Sequence, residues 1–170
     1  MKIQLISRDN GWGLSRDVRI LKEALQGHEV TFTDWKRPKP RYKADINIFL
    51  ELVNKQFFPQ ARLNWIMPNP EWFDPMWAKY QPQVDMVLAK TKDCRDIFSR
   101  HGWPVVYTGF TSEDRMDRSV PKEPKWVHLR GASSAKGTRQ VIEAFAQMPD
   151  VPLLITTRMP MMIEKLLSSR

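Results

Sequence analysis

The stretch from residue 125 to residue 158 constrains the fold more than any other part of the chain. It contains an apolar strand, a turn rich in Gly, Ser and Lys, an amphipathic helix and a second apolar strand. This order predicts one βαβ unit. The turn between the first strand and the helix collects backbone N–H groups, the positive end of a helix dipole and a lysine at one point. The segment therefore predicts an anion site, most naturally for phosphate.

The rest of the chain alternates between apolar strands and amphipathic helices. Strands are predicted at residues 3–7, 30–35, 46–50, 62–67, 86–89 and 105–107, and helices at 14–25, 76–80 and 92–101. Because the apolar runs are continuous, they favour a parallel sheet covered on both faces. We therefore predict an α/β fold with a doubly wound, Rossmann-like parallel sheet, in which ligands bind beyond the carboxyl ends of the strands. The predicted organisation is a first domain at 1–112, a linker at 113–124 and a second domain at 125–170.

Composition excludes several classes of protein. The chain contains no apolar run near the roughly 20 residues that a membrane-spanning helix needs, and its N-terminus lacks the apolar region of a signal peptide. A cytoplasmic location is therefore expected. The single cysteine, Cys94, excludes an internal disulfide and is predicted to be a packed, reduced residue. With three histidines and no metal-ligand spacing, no metal site is expected.

The net charge of +8 is unevenly spread, because one segment between Trp35 and Asp45 is strongly basic. Its cationic residues are Lys36, Arg37, Lys39, Arg41 and Lys43, and its prolines exclude a helix. Three interpretations remain open: a solvated loop, attraction to an anionic membrane surface or acidic glycan, and nucleic-acid binding. Nucleic-acid binding ranks last, since no zinc-finger spacing, aromatic RNA-binding strand motif or basic helix followed by heptads is present.

The turn at residues 131–138, GASSAKGT, is close to a Walker phosphate loop but is not one. The order of Lys136 and Gly137 is reversed relative to G-x-x-x-x-G-K-[ST], which excludes a P-loop NTPase. A G-x-G-x-x-G signature is absent after the first strand, where only G-W-G occurs, so a dinucleotide-dependent dehydrogenase is not expected. What remains is a strand, then a turn with Arg130, Ser133 and Ser134, then Lys136, Gly137 and Thr138 entering a helix.

These residues resemble the start of the second domain of GT-B class glycosyltransferases, in the retaining, family-four-like group. The shared pattern is a strand, G-x-S-x-x-K-G-T, a helix ending in EAF and a second strand. The N-terminal part is similar too, with a Gly-containing loop after the first strand, PNPEW, DMVLAKT, and VVYTGFTSEDR before the linker. The resemblance implies a GT-B fold that transfers a sugar from a nucleotide-sugar to an acceptor without a metal. The nucleotide-sugar would be a substrate, so no cofactor is expected.

The same resemblance implies that the turn holds the diphosphate of the donor. Lys136 corresponds to the lysine of the family's K-G turn. Arg130 takes the role of the basic residue after the first strand, one position before that residue's usual place, which is Gly131 here. The other predicted donor-binding residues are Ser133, Ser134, Gly137 and Thr138. From the residues alone, Lys136 can also be a solvated charge, and the two serines can be turn formers or caps.

The first domain supplies candidates for the acceptor side. Glu51 and Glu71 follow predicted strand ends and are candidate catalytic carboxylates that orient an acceptor hydroxyl. Prolines around Glu71 would fix its position. The predicted acceptor-binding residues are Asn10, Gly11, Gly13, Lys90 and Thr91. Simpler interpretations remain: the two glutamates can be ordinary surface carboxylates, and the loop at Asn10 can be a plain strand-to-helix turn.

The length of the second domain departs from the family pattern. A complete nucleotide-binding domain needs on the order of a hundred residues or more, and fewer follow Thr111. The family's acidic E-x7-E segment is also missing. We therefore expect an incomplete second domain, a truncated enzyme with weak or no activity, and self-association through exposed apolar strands. The alternative is a non-catalytic Rossmann-like module that binds nucleic acid or an acidic partner.

Overall fold

The structure is a computed structural model that describes residues 1–37, 43–112, 114, 116–129 and 136–156. The chain divides into two compact units, Met1–Asp114 and Arg115–Arg170. The division falls in the segment for which the sequence predicts a linker.

The first unit contains a six-stranded sheet in which every neighbouring pair of strands is parallel. Its strands are β1 (Lys2–Ser7), β2 (Glu29–Asp34), β3 (Ala44–Leu50), β4 (Ala61–Met67), β5 (Met86–Ala89) and β6 (Val105–Tyr107). Its α-helices are α1 (Gly13–Ala24) and α2 (Lys92–Arg100). Three 3-10 helices cover Lys55–Gln60, Pro70–Trp72 and Pro75–Gln83. The prediction of an α/β fold built on a parallel sheet is confirmed.

The strand order β2-β1-β3-β4-β5-β6 has a switch point between β1 and β3. After β1 the chain adds β2 next to one edge of β1, and it then adds β3 to β6 in order from the opposite edge of β1. In open α/β sheets, ligand sites form in the crevice beyond the carboxyl ends of the strands at such a point. We therefore expect a ligand site at the loops that follow Ser7 and Leu50.

Apolar side chains cover both faces of this sheet, because successive strand residues point to opposite sides. On one face, Leu5 of β1 packs in a cluster with Val18 and other residues of α1. On the other, Ile6 packs in a cluster with Phe57 of the first 3-10 helix and Phe98 of α2. The continuous apolar runs of the sequence thus correspond to strands that are buried on both sides.

The helical segments that differ from the prediction contain prolines and form 3-10 helices. A helix was predicted at residues 76–80, and the structure has a 3-10 helix over Pro75–Gln83 with Pro82 inside it. The 3-10 helix Lys55–Gln60 was not predicted and contains Pro59. Proline lacks the N–H that the α-helical pattern requires, so short 3-10 turns replace regular helices in both places.

The second unit contains β7 (Trp126–Leu129), α3 (Thr138–Phe145) and β8 (Leu153–Thr156). The two strands pair in parallel, with Trp126 opposite Leu153, so the predicted βαβ order is confirmed. Trp126 packs against Phe145 of α3, with ring centroids 6.3 Å apart. Neither unit, in its described residues, contains a helix with the length and apolarity needed to cross a membrane.

Candidate functional site

Charged side chains converge at the carboxyl edge of the six-stranded sheet. Glu51 follows β3, Glu71 lies in the 3-10 helix that follows β4, Lys90 follows β5, and Asp17 lies on α1. The charges of Lys90, Asp17 and Glu71 each act on the pKa of Glu51, which places these three residues within electrostatic range of Glu51. We call these four residues the carboxylate cluster. It unites Glu51, Glu71 and Lys90, which the sequence singled out, with Asp17, which it did not.

Glu51 has a backbone conformation that is unusual for a residue with a side chain. Its φ is 62°, in the left-handed region, and among the described residues it is the one non-glycine with a positive φ. Its backbone N–H donates to Met67 O at 3.1 Å, and Asn69 Nδ2 donates a hydrogen bond to Glu51 Oε1. This conformation costs about 1 kcal/mol, and such strain is concentrated at functional sites.

Lys90 and Asp17 form an ion pair across the site. Lys90 Nζ lies 3.2 Å from Asp17 Oδ2, and the two side chains are 14% and 19% exposed. Lys90 Nζ also lies 5.3 Å from the ring centroid of Phe110. Because Asp17 balances the charge of Lys90, the negative charges of Glu51 and Glu71 remain in excess.

Burial raises the pKa of Glu51 above its ordinary value of 4.5. Lys90 opposes this shift, while the negative charges of Asp17 and Glu71 add to it. A carboxyl group whose pKa moves toward neutrality is better suited to exchange a proton with a bound hydroxyl. Glu51 therefore has the electrostatic setting of an acid–base group.

The buried residue Cys94 of α2 lies next to this site. Its thiol donates to Pro68 O at 3.8 Å, and burial raises its pKa, with Glu71 among the smaller contributions. The packed, reduced cysteine that the sequence predicts is thus found. A second buried group, Ser7 Oγ at the end of β1, has no hydrogen-bond partner among the described residues. Ser7 therefore adds an unsatisfied polar group to the switch point.

The loop between β1 and α1 is held by its own side chains. Asn10 Oδ1 accepts hydrogen bonds from the backbone of Trp12 at 2.9 Å and of Ser15 at 3.4 Å. Ser15 Oγ accepts from Gly11 N at 2.8 Å. Gly11 has φ of 66°, whereas Gly13 does not have a positive φ. The side-chain oxygen of Asn10 is therefore used to shape the loop, and the glycine requirement applies to Gly11 alone.

Thr91, a predicted acceptor-binding residue, caps α2. Its Oγ1 accepts from the backbone N–H of Cys94 at 3.1 Å. A hydroxyl that satisfies one of the free N–H groups of a helix start has a structural role that any strand-to-helix connection can require. A contact between Thr91 and a ligand stays a prediction.

The predicted anion turn is described in part. Lys136 is exposed, and Gly137 precedes α3 with φ of 62°. Thr138 is buried, and its Oγ1 lies 2.9 Å from Nε2 of His128, a residue that the sequence reasoning missed. Arg130, Ser133 and Ser134 lie outside the described residues. The described part of the turn thus presents one exposed lysine at the start of a helix.

The basic segment is also described in part. Lys36, Arg37 and Lys43 are exposed, and Lys39 and Arg41 lie outside the described residues. Lys36 Nζ and the Arg8 guanidinium lie 5.7 Å and 5.8 Å from the ring of Trp35. Within the described ranges, no group of three or more His, Cys, Asp or Glu residues is arranged to hold a metal ion.

Sequence reasoning missed Asp17, which lies in no recognisable motif, and gave no role to Asn69 within PNPEW. Asp17 is one of several charged residues on α1, and only the tertiary fold brings it to Lys90. Asn69 stands between two prolines and reads as a turn residue. Their partners are distant in sequence, so no local pattern indicates them.

No protein-family model matches the chain, and searches of curated proteins and of solved structures also return no match. The carboxylate cluster and the turn before α3 are therefore the features from which a function is inferred.

Proposed function

We propose that the chain is a glycosyltransferase-like protein of the GT-B type, in which the first unit binds the acceptor and the second unit meets the nucleotide-sugar. The observation that carries this proposal is the carboxylate cluster at the carboxyl edge of the parallel sheet. Sugar acceptors are hydroxyl compounds, and carboxylates are suited to accept hydrogen bonds from hydroxyl groups. A half-buried carboxyl with a raised pKa, such as Glu51, adds the capacity to take up a proton.

In this proposal the acceptor hydroxyl binds against Glu51 and Glu71. Sugar transfer forms a bond between the acceptor oxygen and the anomeric carbon and breaks the bond from that carbon to the diphosphate. The hydroxyl proton passes to Glu51, and the diphosphate leaves with the bonding electrons. Asn69 orients Glu51 by donating a hydrogen bond to it, and Lys90, which pairs with Asp17, lowers the pKa of Glu51 through its charge.

The diphosphate side of the proposal rests on the turn before α3. Lys136 supplies a positive charge, and the backbone N–H groups at the start of α3 supply dipoles. The hydroxyl of Thr138 is already paired with His128, so its backbone N–H is the group offered to the phosphate. Arg130, Ser133 and Ser134 complete the proposed donor contacts, and the second unit corresponds to the opening βαβ segment of a donor domain. A cytoplasmic location and the absence of a cofactor belong to the same proposal.

Thermal unfolding in the presence of nucleotide-sugars tests this function. UDP- and GDP-sugars at concentrations well above Kd should raise the Tm by about 2 °C or more. Lys136→Ala should remove the shift. Lys125→Ala is the matched control, because Lys125 is an exposed lysine of the same unit that precedes β7, and it should keep the shift. If no nucleotide-sugar stabilises the wild-type protein, the proposal fails.

A non-catalytic binding module is the second candidate, and the exposed basic segment favours it. Lys36, Arg37 and Lys43 are exposed, and Lys36 Nζ lies 5.7 Å from the ring of Trp35. Such a segment would attract nucleic acid, an acidic protein or an anionic membrane. Fluorescence anisotropy with single-stranded RNA and DNA, and co-sedimentation with anionic vesicles, would detect these partners. Binding that weakens steeply with salt, together with no response to nucleotide-sugars, supports this alternative.

A further inference from the structure

A cavity of about 370 Å³ lies in the first unit, between α2 and the 3-10 helices Pro70–Trp72 and Pro75–Gln83. This volume is within the range of small-molecule sites. Its walls are mostly apolar, and His101 and Gln81 are the polar residues that line it. No local sequence pattern indicates this cavity, because the lining residues are spread over three helices and the connections beside them.

Three aromatic rings form the inner wall of the cavity. The ring of Phe73 lies 5.1 Å from that of Phe98 and 5.8 Å from that of Trp103, at interplanar angles of 87° and 88°. Phe98 and Trp103 are 5.6 Å apart at 84°. These edge-to-face arrangements are the preferred geometry of aromatic pairs, and a fourth ring can extend the same pattern. Pro70 and Pro75 also line the cavity and add flat apolar surfaces.

The cavity is held in shape by hydrogen bonds at its mouth. Gln81 Nε2 donates to the backbone oxygens of His101 and Gly102, at 3.3 Å and 2.8 Å. These bonds join the 3-10 helix to the end of α2. A site that is fixed before the ligand arrives loses less ordering entropy on binding.

The cavity and the carboxylate cluster draw residues from the same short turn. Pro70 lines the cavity, and the next residue, Glu71, belongs to the cluster. On α2, Phe98 of the cavity wall lies one helical turn from Cys94, whose thiol donates to Pro68 O. The same short segment thus contributes to both the cluster and the cavity.

We propose that this cavity binds an aromatic ring carried by the acceptor, so that the acceptor has an apolar ring joined to a hydroxyl-bearing part. The assignment of this aromatic ring to a sugar acceptor rests on the proposed function. The cavity walls favour a flat ring over a flexible alkyl chain, since Phe73, Pro70 and Pro75 offer surfaces for stacking and edge contacts. The buried rings of Phe98 and Trp103 lie behind this surface.

Ring binding is measured directly by fluorine NMR with 4-fluorophenol as the probe. Ala78 is exposed and lines the cavity, so Ala78→Phe fills the cavity from its mouth without removing a core side chain. We expect the probe to bind the wild-type protein and to bind Ala78→Phe about 10-fold or more weakly. Ala78→Leu should give a smaller loss. Gln83→Phe is the matched control, because Gln83 is exposed on the same 3-10 helix but does not line the cavity.

Absence of probe binding, or equal binding by wild type and Ala78→Phe, would overturn the ring site. The acceptor assignment is tested with paired phenyl and methyl glycosides of glucose, galactose and mannose. At least one phenyl glycoside should bind about 10-fold more tightly than its methyl partner, and Ala78→Phe should abolish the difference. Equal binding of every pair overturns the acceptor assignment. Failure of the nucleotide-sugar experiment, with the probe still bound, removes the proposed function and leaves the ring site standing.

Discussion

Glu51 combines a strained backbone with a desolvated carboxyl group. A glycine at this position would adopt φ of 62° without strain, so the glutamate side chain is present despite a cost to stability. Burial and the nearby carboxylates add a second cost by opposing ionisation. Both costs are typical of residues that serve function at the expense of stability.

Replacing Glu51 with Gln should therefore stabilise the protein at neutral pH. The folded pKa of Glu51 lies above its unfolded value, so the folded state favours the protonated form. The contribution of protonated Glu51 to the free energy of unfolding is fully present below about pH 4.5. It is lost as pH rises through the folded pKa of Glu51. A neutral Gln avoids this loss and keeps an oxygen for Asn69. We expect Tm to rise by about 2 °C at pH 7.5 and the difference from wild type to vanish near pH 4.

Thermal unfolding followed by circular dichroism across this pH range measures the effect. Glu23→Gln controls for removing one negative charge from a chain of net charge +8, since Glu23 is exposed on α1. A destabilised Glu51→Gln at pH 7.5, or a gain that Glu23→Gln shares, would contradict the expectation.

At the scale of elements, side-chain caps mark where α2 and the 3-10 helix Pro75–Gln83 begin. Thr91 caps α2, and Asp74 accepts from the backbone of Met76 at 2.9 Å at the start of the 3-10 helix Pro75–Gln83. The strands were predictable because their apolar runs are buried on both faces. The 3-10 helices were less so: one was predicted as an ordinary helix at 76–80 and the other two were not predicted, because proline-containing segments lack the period that identifies a helix. Local sequence thus encodes the sheet more fully than its connections.

Thr91→Ala should lower the free energy of unfolding by about 1 kcal/mol, because the backbone N–H of Cys94 loses its partner at the helix start. Thr91→Ser keeps the hydroxyl and should restore most of the loss. Urea denaturation measures both variants. If Thr91 acts as a cap and not as an acceptor contact, neither substitution alters the affinity for phenyl glycosides. A large loss of affinity in the stable Thr91→Ser variant would instead show that Thr91 contacts the ligand.

At the scale of the whole molecule, the second unit leaves one face of its sheet exposed. Trp126 and His128 contact α3, whereas Val127 and Leu129 alternate to the other side, where Leu154 is the register partner of Val127. Val127, Leu129 and Leu154 are 55%, 67% and 52% exposed. Exposed apolar strand faces favour association with another chain.

We expect the protein to self-associate through this face. Light scattering after size exclusion should give a mass that rises above the monomer's 20.0 kDa as concentration increases. Val127→Lys should abolish the increase. Val120→Lys makes the same change at an exposed valine outside the strands and should leave it in place. A wild-type mass that stays monomeric across the range would refute the prediction.

The carboxylate cluster shows why the site was only half predictable from sequence. Glu51 and Glu71 stood out because they follow strands of a predicted parallel sheet, whose carboxyl ends meet at one edge. Burial is the main cause of the raised pKa of Glu51, and Asp17 adds to it. Asp17 lies on a helix and reaches Lys90 across 73 positions of sequence. Long-range pairs of this kind follow from packing, which single-sequence patterns do not encode.

Burial of the one thiol in the chain makes the protein convenient for site-directed labelling. Cys94 is 1% exposed, and burial raises its pKa, so the thiolate needed for reaction with maleimide dyes is both hidden and disfavoured. A cysteine engineered at the surface would therefore take up a fluorophore or spin label selectively, without first removing Cys94.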